Sequence, residues 1–329
     1  MTGKPDGSRR NRGRAGVVLA LKLAVTLGLL ALILSKVELG DAFARVASAS
    51  LPFLALALLV AGVQLCLLAV RWSFILDRMG SSIGLANALR HCWEASFYNL
   101  ALPSGIGGDA IRMFRCHRQG CTARIAIGSV VLDRYAGVMT LLLLTAGLLM
   151  MPGHPLHEVV TGEVTVVIIA ALPILALGPA VVDLIPGPWW RWKPIAPLVW
   201  LCATARQVVL HPSSGAVVLG LSLAIHICTA FSFILIGQAI AADIPLALYA
   251  LVVPTSMLAT MIPLSLGGWG IREGAMVGLF SLAGVPTTEA LTLSVLFGLV
   301  LLALGLLGGA IGLMQPERPG SLDAKQEAD

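Results

Sequence analysis

Two short stretches of the sequence, 102–112 (LPSGIGGDAIR) and 262–274 (IPLSLGGWGIREG), hold residue types that an apolar run has no reason to contain. Sliding the first along the chain places Pro103 on Pro263, Gly107 and Gly108 on Gly267 and Gly268, Ile111 on Ile271 and Arg112 on Arg272. A helix that begins inside a membrane aims unpaired backbone N–H groups and a positive dipole end at whatever precedes it. Paired glycines at that point let an anion approach the backbone. Arginine adds a planar fork that bonds two phosphate oxygens at once. The chemistry these residues suit is binding of an anionic headgroup. The candidates are Gly107, Gly108, Asp109 and Arg112 in the first stretch, and Gly267, Gly268, Trp269, Arg272 and Glu273 in the second. Asn99 lies just upstream of the first, while Asp133 and Arg134 sit roughly 15 Å deep in the apolar run that follows. In a competing reading the charges only close the two stretches, Arg272 pairing with Glu273 or Asp109, and Arg112 with Glu94. The two readings are compatible, because ionised groups inside a membrane need partners.

Other chemistries find little support. There is no nucleophile elbow, zinc-protease helix motif, phosphate-binding P-loop or dinucleotide-binding repeat, so no catalytic residue and no cofactor is expected. The basic balance of +5 comes with no basic, aromatic-interleaved groove, which argues against nucleic acid. The six cysteines make no disulfide framework: Cys66 and Cys228 fall in apolar runs, Cys92 and Cys202 in broken or interfacial ones. Only Cys116 and Cys121, with His117 between them, lie in a polar loop. They lack a second ligand pair at zinc spacing, and reduced thiols are expected. His154, His157 and Glu158 read as a solvated loop, and no metal is expected.

The elements that must position these groups are membrane helices. Hydrophobic residues make up 57% of the chain and charged ones 12%, far from a soluble domain, whose charged fraction is about a quarter. Full spans are expected over 15–34, 51–70, 125–150, 159–182, 215–240 and 288–314, each near or above the roughly 20 residues needed to cross the hydrocarbon. The run 35–50 reads as a polar connection, and Arg71-Trp72 as the interfacial anchor closing the second span. A tryptophan-rich belt, PGPWWRWKP, precedes an interfacial helix over 198–210. Residues 83–101 and 246–263 are too short or too polar for ordinary spans. Each leads into a glycine stretch and then a second short helix, the first beginning at Asp109 as its N-cap. Such broken segments are tolerated only where their backbone is buried in protein or faces a wet cavity.

Charge placement gives the topology. If both broken segments re-enter on the side they left, 17 of the 22 Lys and Arg residues are cytosolic, and only Lys36 and Arg45 are external. Lys22, Arg134 and Arg272 fall inside spans. The positive-inside rule supports that division, with both termini cytosolic. It also gives the two halves opposite senses, and the echo extends further, Ser73-Phe74-Ile75-Leu76 recurring as Ser232-Phe233-Ile234-Leu235 and Pro52 matching Pro212. The expected architecture is an all-α polytopic membrane protein of about six transmembrane helices plus two re-entrant helical hairpins in an inverted repeat. Its parts are a basic cytosolic tail over 1–14, a membrane domain over 15–314 with halves at about 51–150 and 212–314 and a linker over 151–211, and a polar tail over 315–329. An inverted repeat of this kind is a transporter architecture, with the site near the midplane.

The residues also resemble a known family. Arg71-Trp72, the run from Phe97 to Arg112 (FxNLxLPxGxGGDxxR), Ser129 to Arg134 (SVVLDR) and Pro263 to Glu273 (PxSxGGWGxRE) are similar to the flippase-like transmembrane domain of lysylphosphatidylglycerol synthases. Stand-alone relatives of that domain include hopanoid-associated and archaeal dolichol-linked glycosylation membrane proteins. The resemblance covers roughly 15–314 and implies movement of a lipid with a polar or charged headgroup between leaflets of a prokaryotic plasma membrane. It departs from the family in two respects: there is no aminoacyl-transferase domain, so synthase activity is not carried over, and Asp133 stands where the family often has Glu. The expected function is a lipid translocase, not an enzyme, acting on a phospholipid, a polyprenyl-phosphate-linked lipid or a hopanoid-type lipid. The alternatives are a membrane-embedded lipid-modifying transferase and a non-transporting accessory subunit that partners a lipid-synthesis enzyme.

Overall fold

The computed structural model describes residues 39–101, 107–151, 170–174, 176–179, 195–260 and 270–314. Every regular element among them is helical, as a chain this apolar requires: in hydrocarbon a helix satisfies its own backbone groups. The elements are α1 (Leu39–Ala47), α2 (Leu51–Arg78), α3 (Leu85–Ala101), α4 (Gly107–Arg118), α5 (Ala123–Leu149), α6 (Ala196–Val208), α7 (Pro212–Ala239), α8 (Leu246–Ala259), α9 (Ile271–Leu282) and α10 (Thr287–Met314). Four of these, α2, α5, α7 and α10, are long and apolar enough to cross a membrane. The protein is a polytopic all-α membrane protein. The expected spans over 15–34 and most of 159–182, the tryptophan belt and both tails lie outside the described residues.

Two expectations are corrected. The connection 35–50 contains the helix α1, whose Arg45 meets Glu289 of α10 at 3.1 Å. The second span does not stop at Val70. Its helix runs 28 residues to Arg78, about 42 Å at 1.5 Å per residue, because nothing between Leu51 and Arg78 breaks it after Pro52 has set its first turn.

The elements come in two sets of matching length: α2 and α7 have 28 residues each, α4 and α9 have 12 each, and α5 and α10 have 27 and 28. Helices α2 and α7 both begin with proline in the first turn. They pack against each other in opposite senses, since the Ser50 N–H before α2 donates to Ala239 O at the end of α7 at 2.8 Å, and Arg71 near the other end of α2 reaches Ser222. The packing partners exchange under the same correspondence. Where α3 lies on α10, α8 lies on α5; where α5 touches α7, α10 touches α2.

Helix α3 approaches α10 closely because α10 presents glycines at that face. A Cβ at Gly305 would collide with Leu100, at Gly308 with the Trp93 carbonyl, and at Gly309 with the Phe97 ring. Small residues let membrane helices approach where no hydrophobic drive separates lipid from side chain. Helix α3 is thereby held against α10 while it also packs on α4.

Candidate functional site

Helix α4 already includes Gly107, two residues before Asp109. Its free amide at Gly108 is satisfied from α3, where Asn99 Oδ1 accepts the Gly108 N–H at 2.9 Å. A Cβ at Gly108 would strike the Ala95 carbonyl and this same Asn99 amide, so glycine permits the two short helices to touch. Asn99 therefore performs the capping expected of Asp109 and frees that carboxylate for other work.

That work is a chain of buried ion pairs. Asp109 Oδ1 accepts from Arg112 Nη2 at 2.5 Å, one turn along α4, and Asp109 Oδ2 accepts from Arg134 Nε of α5 at 2.6 Å. Arg112 Nη1 continues to Asp133 Oδ2 at 2.9 Å, and Asp133 Oδ1 accepts from Arg71 Nε at 2.7 Å. Arg71 Nη1 ends the chain on Ser222 Oγ of α7 at 2.7 Å. Alternating signs and hydrogen-bonded oxygens are what let ionised groups remain charged away from water. Arg71, Arg112, Asp109 and Asp133 are buried, whereas the Arg134 side chain is 45% exposed. The Arg112 guanidinium also sits 5.3 Å from the Trp72 ring, a cation–π distance. Trp72 is held in that pose by its Nε1–H donating to Ser129 Oγ at 3.1 Å.

The sequence candidates Asp109, Arg112, Asp133 and Arg134 are thus brought into one cluster, with Asn99, Gly107 and Gly108 at the head of α4. Arg71 was missed. Read as an interfacial anchor, it is 4% exposed and central, and Trp72 is fully buried beside it. The available signal was the uninterrupted helical run to Arg78, which sets Arg71 two turns inside the end of α2. Glu94 does not pair with Arg112; Arg115 takes it in a two-pronged bond at 2.5 and 3.1 Å.

A second charged group lies on α9. Arg272 bonds Glu273 Oε1 through Nη2 at 2.5 Å and Nε at 3.1 Å. Ser294 of α10 donates to the same oxygen at 3.3 Å. Glu273 Oε2 accepts the Gly270 N–H at 2.6 Å, capping the helix start where Gly270 takes φ 87°, a conformation that favours glycine. Arg272 stacks 5.6 Å from the Phe297 ring. Gly267, Gly268 and Trp269 lie outside the described residues. At both groups one amide near the helix start is used internally, Gly108 by Asn99 and Gly270 by Glu273.

Other polar candidates resolve plainly. His226 Nε2 is 3.0 Å from Gly137 O, tying α7 to α5. Among the described residues the cysteines are free and no group of metal-ligating side chains has the composition of a site. An apolar cleft lined by Leu54, Leu58, Leu296 and Val300 sits toward the other end of α2 from Arg71 and does not belong to this cluster.

Long apolar helices, glycine-lined close packing and a charge cluster buried between helices define a multi-pass membrane protein with an internal polar site. The model of the lysylphosphatidylglycerol synthase TM region matches residues 19–309, and the chain belongs to that family. No curated protein and no solved structure gives a match.

Proposed function

We propose that the protein moves a lipid with an anionic headgroup between the leaflets of a prokaryotic plasma membrane. The observation that carries this reading is the charge balance of the buried cluster. Among the described residues, three guanidiniums (Arg71, Arg112, Arg134) meet two carboxylates (Asp109, Asp133), which leaves one positive charge without a described counter-ion inside the cluster. A phosphate or similar anion supplies that charge and suits the arginine fork. The excess is most accessible at Arg134, the exposed member, which makes Arg134 the first contact and Arg71 and Arg112 the held pair behind it.

In this reading 51–150 and 212–314 are the halves of an inverted repeat, and the pairs α3–α4 and α8–α9 are re-entrant hairpins. The headgroup crosses at the junction of the halves, where Arg71 of α2 meets Ser222 of α7, while the acyl chains remain in lipid. Membership of a family named for lipid synthesis supports a lipid as the partner. No nucleotide motif is present, so movement is downhill or ion-coupled.

The test is reconstitution into liposomes carrying headgroup-labelled phosphatidylglycerol or polyprenyl phosphate, scored by access of an external quencher. Wild-type vesicles expose inner-leaflet label and Arg134→Ala vesicles do so at least about tenfold more slowly, the size of effect expected for loss of one charge-assisted contact. Vesicles that match empty ones across the lipid panel overturn the proposal. A new lipid product instead of exposed label replaces it with a transferase.

A further inference from the structure

The turn between α4 and α5 is a Schellman cap. Gly120 takes φ 98°, its N–H bonds His117 O at 3.0 Å, and the Cys121 N–H reaches back to Cys116 O at 3.2 Å. This pattern brings the side chains at those last two positions into contact, ordinarily as a pair of hydrophobes. Here both are cysteines. Their side chains lie in one buried cluster, and Ser81 Oγ–H donates to Cys121 Sγ at 3.1 Å. Cys121 thus receives a hydroxyl donor on its sulfur, an arrangement that favours its thiolate. Both side chains are buried, Cys116 wholly and Cys121 at 4% exposure.

We propose that Cys116 and Cys121 form a hydroperoxide-reactive dithiol that closes to a disulfide across the α4–α5 turn. The Cys121 thiolate attacks one oxygen of hydrogen peroxide, the O–O bond breaks, and hydroxide leaves, giving a sulfenic acid at Cys121. The Cys116 sulfur then attacks the Cys121 sulfur. The S–S bond forms as the S–OH bond breaks, and the departing hydroxide takes the Cys116 proton as water. Each sulfur loses one electron, and each peroxide oxygen gains one.

The direction of attack follows the surroundings. The hydrogen bond from Cys116, aided by Ser81 and the nearby His117, outweighs burial and holds the Cys121 thiol down to about 6, while the same contact and burial push Cys116 up. Cys121 is the attacking sulfur, and Cys116, in contact with it, forms the disulfide before a second oxidation can occur. The bridge sits at the corner joining the helix that carries Asp109 and Arg112 to the helix that carries Asp133 and Arg134. Thr122, the next residue, caps α5 by accepting the Ile125 N–H at 3.3 Å. Oxidation therefore ties the last turn of α4 to the turn that leads into α5. The proposal stands independently of the lipid reading.

The test is exposure of the purified full-length protein in detergent micelles to hydrogen peroxide, followed by unfolding, alkylation and peptide mass mapping. Expected is a Cys116–Cys121 cross-linked peptide that dithiothreitol reverses, forming about tenfold more slowly at pH 5 than at pH 7 as the thiolate is protonated. In Cys116→Ser, which removes only the resolving sulfur, dimedone traps a sulfenic acid at Cys121. Recovery of both residues as alkylated thiols, at the rate of the half-buried controls Cys66 and Cys202, overturns the proposal. So does a bridge from either residue to another cysteine.

Discussion

Asp133 is the residue on which two buried arginines depend, one carboxylate oxygen serving Arg71 and the other Arg112. Asp133→Asn keeps the shape and removes the charge, leaving both guanidiniums underbalanced where water cannot compensate. Removing one partner of a buried pair costs about 3 to 5 kcal/mol, so thermal unfolding in detergent should show a large loss for Asp133→Asn. Arg134→Ala removes a side chain that is 45% exposed and should cost less than about 1 kcal/mol in the same measurement. The contrast separates stability from transport. Asp133→Asn lowers both, whereas Arg134→Ala lowers the liposome flux with the fold intact.

At the level of elements, the short helices hold their places through contacts that single side chains control. Asn99 supplies the acceptor for the Gly108 amide, so Asn99→Ala leaves a helix-start N–H without its partner. That should cost about 1 to 2 kcal/mol, comparable to losing an N-cap, with Asn99→Asp retaining most of the stability at neutral pH. Gly308 of α10 faces the Trp93 carbonyl of α3 with no room for a Cβ. Gly308→Leu should drive α3 from α10 and lower the unfolding midpoint by an overpacking penalty of about 1 to 3 kcal/mol or more. Gly147, where a Cβ meets nothing within 4 Å, is the control whose substitution by alanine should leave the midpoint unchanged or slightly raised.

For the molecule as a whole, the informative contact is the opposed packing of α2 and α7, joined at one end by the Ser50 N–H to Ala239 O bond and near the other by Arg71 to Ser222. If the halves rock against each other during transport, fixing this contact halts it. In a background lacking the native cysteines, Ser50→Cys with Ala239→Cys should cross-link on oxidation, stop flux in liposomes and regain it on reduction. Flux that persists in the cross-linked protein shows that the halves need not move at that end.

The sequence by itself determined the class and most of the helices. Apolar runs of spanning length leave the backbone no alternative to helix, and prolines, glycines and caps mark where each begins. The starts and ends of α5, α7 and α10 fall within a few residues of those read from the chain, and Asp109, Arg112, Asp133 and Arg134, singled out in the sequence, lie in one ion-pair cluster. Tertiary structure alone decided who pairs with whom. Arg71 looked interfacial because local sequence reports hydropathy and not the neighbour across the bundle, here Asp133, which lies 62 positions away. Asn99 replaced Asp109 as the cap, and Arg115 took Glu94 from Arg112, for the same reason. A buried charge is satisfied by whichever partner the packing of glycine-faced helices brings within about 3 Å, and that distance is a property of the assembled bundle.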